Sequence, residues 1–310
     1  MKEIVSVVVV TYNSQKTIIE TLESIRLQDY GANNLDLIIS DDCSTDQTIS
    51  VIQYWIDQYK LSFNSVSILA SNENKGVSAN CNQAWRTVTT RWVKSIGGDD
   101  LLRPNCISSY IEYINNNSPC FAIFSRMEWF GYVNKIVPEK YDLAFFDMPA
   151  DQQYDYLKFK SFNLAPTSFL NTKVLSSLGY ADERFRNIED LPLWLKFTKN
   201  GYKLSFNPNI TVDYRVADSI SKNSQRYIND SFLSDLIAID EMHPFKGLDG
   251  ARQKLLKLDM LTLLHGKRLI RHITNNKKGS FSQILDIIHF LLRPVYVFIK
   301  AKKIFINKFH

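Results

Sequence analysis

The sequence predicts an α/β protein: an open, mostly parallel sheet with helices on both faces, followed by a helical, basic C-terminal extension. Three observations carry this. Apolar strand-like runs alternate with helically spaced stretches over about 100 residues at the N-terminal end. The strand candidates are continuously apolar, as in strands covered on both faces. The charge is divided: residues 1–245 hold 23 Lys and Arg against 29 Asp and Glu, net −6, and residues 246–310 hold 14 against 3, net +11.

In order, Ile4–Val10 is a β-branched run ending in a polar turn and reads as a buried strand. Thr17–Leu27 places Ile18, Leu22 and Ile25 at helical spacing. Leu35–Ser40 is a second strand closing on Asp41 and Asp42, and Thr45–Tyr59 a helix. Val66–Ala70 is a third strand, and Val77–Arg86 a helix opening after Gly76. Trp92–Ile96 is a fourth strand, stopped by Gly97-Gly98-Asp99-Asp100. Such a series winds into a sheet whose ligands bind beyond the carboxyl ends of its strands.

Composition narrows the chemistry. The 310 residues are 45% hydrophobic and 22% charged, enough for a sizeable core. All five histidines follow residue 242, so reactions in the acidic body must rest on carboxylates. The four cysteines show no C-x-x-C spacing and are expected as reduced thiols of a cytosolic protein. Glu3 and Thr11 bracket too short an apolar stretch for a secretory leader. No window offers ~18 uninterrupted apolar residues for a spanning helix. Neither a G-x-G-x-x-G turn nor a P-loop follows the first strand, so a bound nucleotide must have its phosphate charge offset by a metal or by basic side chains.

The strand ends carry the polar residues. Thr11-Tyr12-Asn13, Asp41-Asp42 and Asp99-Asp100 fall at equivalent ends of three strands. Asp41 sits where a carboxylate could accept a hydrogen bond from a base ring N–H; an Asx-turn or helix cap is the competing reading of the same residues. Asp99 and Asp100, beside two glycines, suit a hard divalent cation that bridges phosphates, or a turn that caps the next helix. Glu189-Asp190 opens a helix with Pro192 in its first turn. A carboxylate there either meets the helix dipole or serves as the base for a hydroxyl nucleophile. Arg215, after a strand-like stretch, is a phosphate clamp or a surface ion pair.

Taken together these pieces resemble the inverting glycosyltransferases of family 2, with the GT-A fold, of the type that builds bacterial surface polysaccharides. The matched segments are V-S-V-V-V-V-T-Y-N (5–13), I-S-D-D-C-S-T-D (39–46), N-K-G-V-S-A-N-C-N (74–82), S-I-G-G-D-D-L-L-R-P (95–104), E-D-L-P-L-W-L-K (189–196) and Y-R-V-A-D-S-I-S (214–221). The resemblance implies that Thr11 and Tyr12 contact the nucleotide base, Tyr12 by stacking, and that Asp41 accepts from uracil N3–H. Asn13, Asp42 and Asn82 complete the expected nucleotide pocket. Asp99, with Asp100 beside it, is expected to hold Mg2+ or Mn2+ against the diphosphate, and Arg215 to lie near the phosphates. Asp190 is the expected base, supported by Glu189. The chain departs from the family where Gly97 replaces the first acid of a D-x-D-D block, where Cys81 replaces an arginine and where Ala217 replaces a histidine.

The expected reaction is inverting transfer from a UDP-sugar to a saccharide hydroxyl, with a lipid-linked acceptor, in O-antigen or capsule synthesis. A nucleotidyltransferase and a non-catalytic nucleotide-sugar-binding module remain as other readings. The expected division is a transferase domain over 1–222, nucleotide-binding in 1–105 and acceptor-binding in 106–222, with a helical region over 223–310. In the tail, Asp286, His289, Arg293, Tyr296, Lys300, Lys303 and Asn307 recur at 3-4 spacing as one stripe on a broadly apolar helix. That pattern and the net +11 predict docking on an anionic membrane, peripheral on the cytoplasmic side; packing on the body or on a second copy is the competing reading. No nucleic-acid partner is expected.

Overall fold

The computed structural model describes residues 2–139, 143–159, 161, 162, 164–216, 226–242, 250–293, 295, 297 and 298. Ala217 and the tail positions Tyr296, Lys300, Lys303 and Asn307 lie outside them. The chain divides into two compact units, 1–157 with 161–217 and 158–160 with 218–310.

The first unit begins with the expected alternation: β1 (Val5–Thr11), α1 (Ile18–Arg26), β2 (Leu35–Asp41), α2 (Thr48–Tyr59), β3 (Ser65–Ala70), α3 (Val77–Trp85) and β4 (Trp92–Gly97). These four strands pair in parallel in the order β3-β2-β1-β4. The valine run of β1 lies between β2 and β4, and Val5, Val7, Val8 and Val9 are fully buried. On α1 the buried residues Ile18, Thr21, Leu22 and Ile25 form one stripe; full burial of each large aliphatic side chain stabilises by roughly 1.5–3 kcal/mol. The second helix starts three residues later than the spacing predicts. Asn13 Oδ1 accepts from Thr45 N–H, and Gln15 Oε1 accepts from Gln47 N–H, so the backbone at 45 and 47 is committed to contacts with the first loop.

The remainder is mixed. It comprises β5 (Leu101–Leu102), α4 (Cys106–Asn116), β6 (Ala122–Gly131), β7 (Lys135–Val137), α5 (Ala144–Asp147), α6 (Ala150–Leu157), β8 (Phe169–Asn171), α7 (Thr172–Ser177), α8 (Asp190–Lys199) and β9 (Leu204–Val216). β8 joins the two halves antiparallel, between β4 and β6. β6 runs parallel to β9, with a register shift after Ser125–Asn207 that skips Pro208 and Asn209; a proline lacks the N–H that a ladder requires. β5 pairs with the far part of β9, Leu101 opposite Asp213, which brings the acidic turn after β4 beside Tyr214 and Arg215. Trp194 of α8 packs edge-on against Phe124 of β6, ring centroids 4.8 Å apart, anchoring the helix that carries Asp190.

The second unit holds α9 (Asp230–Met242), α10 (Ala251–Ile273) and α11 (Ser280–Leu291). No helix among the described residues is long and apolar enough to cross a membrane.

Candidate active site

The carboxyl ends of β1, β2 and β4 lie side by side because register sets them there: Thr11 is opposite Asp41, and Val10 opposite Gly97. Asp41 is 1% exposed. Its Oδ2 accepts from the hydroxyls of Thr11, at 2.7 Å, and Ser44, at 2.5 Å, and its Oδ1 from the Ser44 N–H at 2.8 Å. Asp42 accepts from the N–H groups of Lys75 and Gly76, both at 2.8 Å, and so anchors the approach to α3. Gly76 has φ +92, and a Cβ there would lie 2.4 Å from the Arg186 carbonyl oxygen; only glycine lets these two loops touch. Asn13 takes a left-handed φ of 54 and binds the second loop through its side-chain oxygen and its N–H. Tyr12 is exposed at the rim, free to offer a ring face.

Asn82 does not fit its expected role. It is fully buried, its amide donates to the Ala181 carbonyl and to Glu183, and its oxygen accepts from Ala181 N–H. It is a clamp between α3 and residues 181–183, with no polar atom left for a nucleotide. Ser78 supports the same junction by donating to the Phe185 carbonyl.

The acidic turn separates its two carboxylates. Asp99 is exposed, whereas Asp100 is 3% exposed and its Oδ1 accepts from Arg215 N–H at 2.9 Å. Burial, and then the neighbouring Asp99 charge, push the Asp100 carboxyl well above its usual range. Beneath the turn, fully buried Lys94 of β4 donates to the carbonyls of Ser95 and Pro166; burial lowers it to about 8, against the pull of Cys106 and Asp100. No group of three or more His, Cys, Asp or Glu capable of holding a metal occurs among the described residues. One exposed carboxylate with a second acid buried behind it fits a cation whose remaining ligands come from phosphates and water, and does not fit a resident metal.

Arg215 lies across this turn. Its Nε donates to the Asp99 carbonyl at 2.9 Å, its terminal nitrogen pairs with Glu20 of α1 at 2.7 Å, and its guanidinium covers the Phe130 ring at 4.6 Å. Glu20 and Lys94 escaped the sequence reading. Glu20 sits on the exposed face of α1, where nothing in helical spacing marks it, and Lys94 sits within an apolar strand.

Glu189 and Asp190 occupy the start of α8. Burial, and then Asp190, push the Glu189 carboxyl up to about 8; burial also raises Asp190, whose Oδ1 accepts from Leu191 N–H at 2.6 Å. The Cys81 thiol of α3 is raised by burial and by both these carboxylates, so the start of α8 lies near the helix that Asp42 anchors. The residues expected from sequence thus gather at one end of the sheet, except that Asn82 is spent on structure. The cysteines are all unpaired, three of them buried.

Residues 6–177 match the family model of glycosyl transferase family 2. The chain is 28% identical over 225 residues to an Escherichia coli UDP-Glc:alpha-D-GlcNAc-diphosphoundecaprenol beta-1,3-glucosyltransferase, WfaP, covering 71% of this chain and 81% of that one. It is 25% identical over 201 residues to the Staphylococcus aureus poly(ribitol-phosphate) beta-N-acetylglucosaminyltransferase TarS, covering 64% of this chain and 33% of the other. In fold it matches the crystal structure of S. aureus TarS in complex with UDP-GlcNAc, with a TM-score of 0.61 and 21% identity over 85% of this chain and 72% of that one. It also matches a mannosyltransferase from Pyrobaculum calidifontis in complex with GDP-Man and Mn2+, with a TM-score of 0.54 and 18% identity over 94% and 70% of the two chains. The nucleotidyltransferase and non-catalytic readings give way, and the fold is GT-A: this chain belongs to glycosyl transferase family 2 and is a glycosyltransferase of the bacterial polysaccharide type.

Proposed function

We propose that the protein transfers a sugar from a UDP-sugar to a saccharide hydroxyl on a lipid-linked acceptor, with inversion at the anomeric carbon, in O-antigen or capsule synthesis at the cytoplasmic face of the membrane. The observation that carries this is an acidic turn with one exposed carboxylate, Asp99, at the same end of the sheet as the half-buried Glu189-Asp190 pair. The names of the relatives support the donor and acceptor class: one acts on a diphosphoundecaprenol-linked sugar with UDP-Glc, and another is shown with UDP-GlcNAc.

In this reading Tyr12 stacks on the base, and Asp41 borders it while fixing Thr11 and Ser44. The exposed Asp99 carboxylate would hold Mn2+ or Mg2+, and Asp100 keeps the turn on the Arg215 backbone. A divalent cation held there would supply charge neutralisation for the leaving diphosphate. Arg215 adds a fixed positive charge beside it. In this reading Glu189, pushed up to about 8 by burial and then by Asp190, carries the proton of the pair, and Asp190, which burial also raises, carries its charge. Asp190 takes the proton of the acceptor hydroxyl as that oxygen attacks the anomeric carbon; the bond from that carbon to the diphosphate oxygen breaks, and UDP leaves with the electron pair. An α-linked donor then yields a β-linked product.

The test is UDP release from a panel of UDP-sugars with an undecaprenyl-diphosphate-linked GlcNAc acceptor, with product configuration read by NMR. A β-linked product from an α-linked donor is expected. Transfer with retention, or turnover only with another nucleotide, would overturn the reading.

A further inference from the structure

The polarity of α11 is inverted. Ser282, Asp286 and His289 of the helix, with Arg293 just past its end, recur at 4-3-4 spacing and face inward, while Ser280 and Gln283 are exposed. Ser282 and His289 are buried. Asp286 accepts from Lys267 at 2.9 Å and from Tyr227 at 2.5 Å. His289 Nε2 lies 2.8 Å from the Thr262 carbonyl oxygen and packs directly on Gly266, where a Cβ would fall 2.2 Å from that nitrogen. Arg293 pairs with Asp259 of α10 at 2.6 Å, both side chains largely buried. The described part of the stripe visible in sequence, Asp286, His289 and Arg293, is therefore a seam with the helix's own unit.

The opposite face is largely apolar and open. Phe281, Ile284, Ile287, Ile288, Leu291 and Leu292 are 50–66% exposed. They repeat at 3-3-1-3-1 spacing, one broad stripe of an α-helix. Leu258, Leu269 and Ile273 of α10 are likewise about half exposed or more. A helix docked on a water-soluble body turns its apolar stripe inward, so this arrangement needs an apolar medium outside. The charges at its border name that medium. Lys277 and Lys278, in the turn that opens α11, are exposed, as is Arg268. Residues 250–298 contain only two acids, Asp259 and Asp286, and each is held in an ion pair. A two-fold contact between copies through this face would bring lysines together with no acid to meet them. An anionic bilayer offers both the apolar layer and the opposite charge.

We propose that the outward face of α11 inserts into the interface of an anionic phospholipid bilayer, with Lys277 and Lys278 at the headgroups, while ion pairs to α10 hold its polar face inward. This fits the reading of a lipid-linked acceptor and is measured without it, since vesicles carrying neither acceptor nor nucleotide suffice.

The experiment is co-sedimentation of the full chain with vesicles of phosphatidylglycerol and phosphatidylcholine, against phosphatidylcholine alone. The wild type should partition onto the anionic vesicles. Ile287→Gln with Leu291→Gln, at positions already in solvent, should keep the wild-type melting temperature and UDP binding, and lose at least about tenfold in partitioning. Lys277→Gln with Lys278→Gln should lose roughly fivefold per lysine on anionic vesicles at low salt, and little at high salt. Wild-type protein that stays in the supernatant, or a Gln pair that binds as well as wild type, would sink the proposal. So would a wild-type dimer by light scattering that the Gln pair turns into monomer, which would assign the face to a second copy.

Discussion

Two acidic pairs, Asp99-Asp100 and Glu189-Asp190, stand at the same end of the sheet and differ in exposure and in the charges beside them. In the first, the leading carboxylate is exposed, and its neighbour is buried and fastened to the Arg215 backbone. Burial raises all four carboxyls, but only in the first pair does the Arg215 charge pull them back down; in the second both side chains are half-buried, the Asp190 charge raises Glu189 further, and Asp190 accepts from the Leu191 N–H. An exposed carboxylate fronting a buried acid gathers positive charge from solution. A half-buried carboxylate favours its proton, because the neutral form is favoured away from water, whereas a neighbouring guanidinium such as Arg215 at Asp99 favours the charged form. In the proposed reading that difference, solvent exposure and the Arg215 charge at Asp99 against half-burial at Asp190, assigns the first pair to a cation and the second to a proton.

The sharpest way to break that distinction is Asp190→Asn, which keeps shape and removes basicity. Turnover should fall by ~10²-fold or more, with UDP affinity unchanged by calorimetry. Near-normal turnover would remove Asp190 from the role. The corresponding change in the other pair, Asp99→Ala, should act on binding: UDP-sugar affinity should drop roughly tenfold, and EDTA should reproduce the loss in wild type. Full activity in EDTA would leave Arg215 as the main partner of the leaving group.

The parallel half of the sheet was legible because strands buried on both faces read as continuous valine, isoleucine and leucine, and the turns after them carry the polar residues. The strand-end acids could be found, but not their division of labour. Whether Asp99 or Asp100 meets solvent depends on β5 pairing with β9 more than 100 residues away, which places Arg215 N–H on Asp100. Asn82 misled for a similar reason: its partners, Ala181 and Glu183, come from a segment with no local pattern. The stripe on α11 was visible in the sequence, but periodicity marks a face without saying which way it points. Asp259 and Gly266 on α10 decide that.

Stability against pH gives a smaller, independent reading of the Glu189-Asp190 pair. Glu189 is raised in the folded chain, so folding favours its protonated form. Its contribution is most favourable below the unfolded carboxyl value of 4.5 and is lost as pH rises toward about 8. Glu189→Gln should therefore raise the melting temperature at pH 8, by at least about 3 °C, and change it little at pH 4.5. A variant equally destabilised at both values would mean that Glu189 is held ionised by a partner. The comparison with the cation site would then lose one of its halves.

The smallest expected effect concerns Arg215, which belongs to the acidic turn through the Asp99 carbonyl and to α1 through Glu20. The pair with Glu20 is 2.7 Å long, but the Glu20 side chain is 56% exposed, so it contributes only about 0.2–1 kcal/mol. A diphosphate beside Asp99 competes for the same guanidinium, and it carries more charge than one carboxylate. Glu20→Gln removes the competitor while the contacts to Asp99 and the Phe130 ring stay in place. The KM for the UDP-sugar should fall by up to about fivefold, with kcat unchanged, and the gain should fade as salt screens the wild-type pair. A higher KM would mean that Glu20 holds Arg215 in its working position; the ion pair would then be part of the phosphate site, and α1 would join the acidic turn as a wall of it.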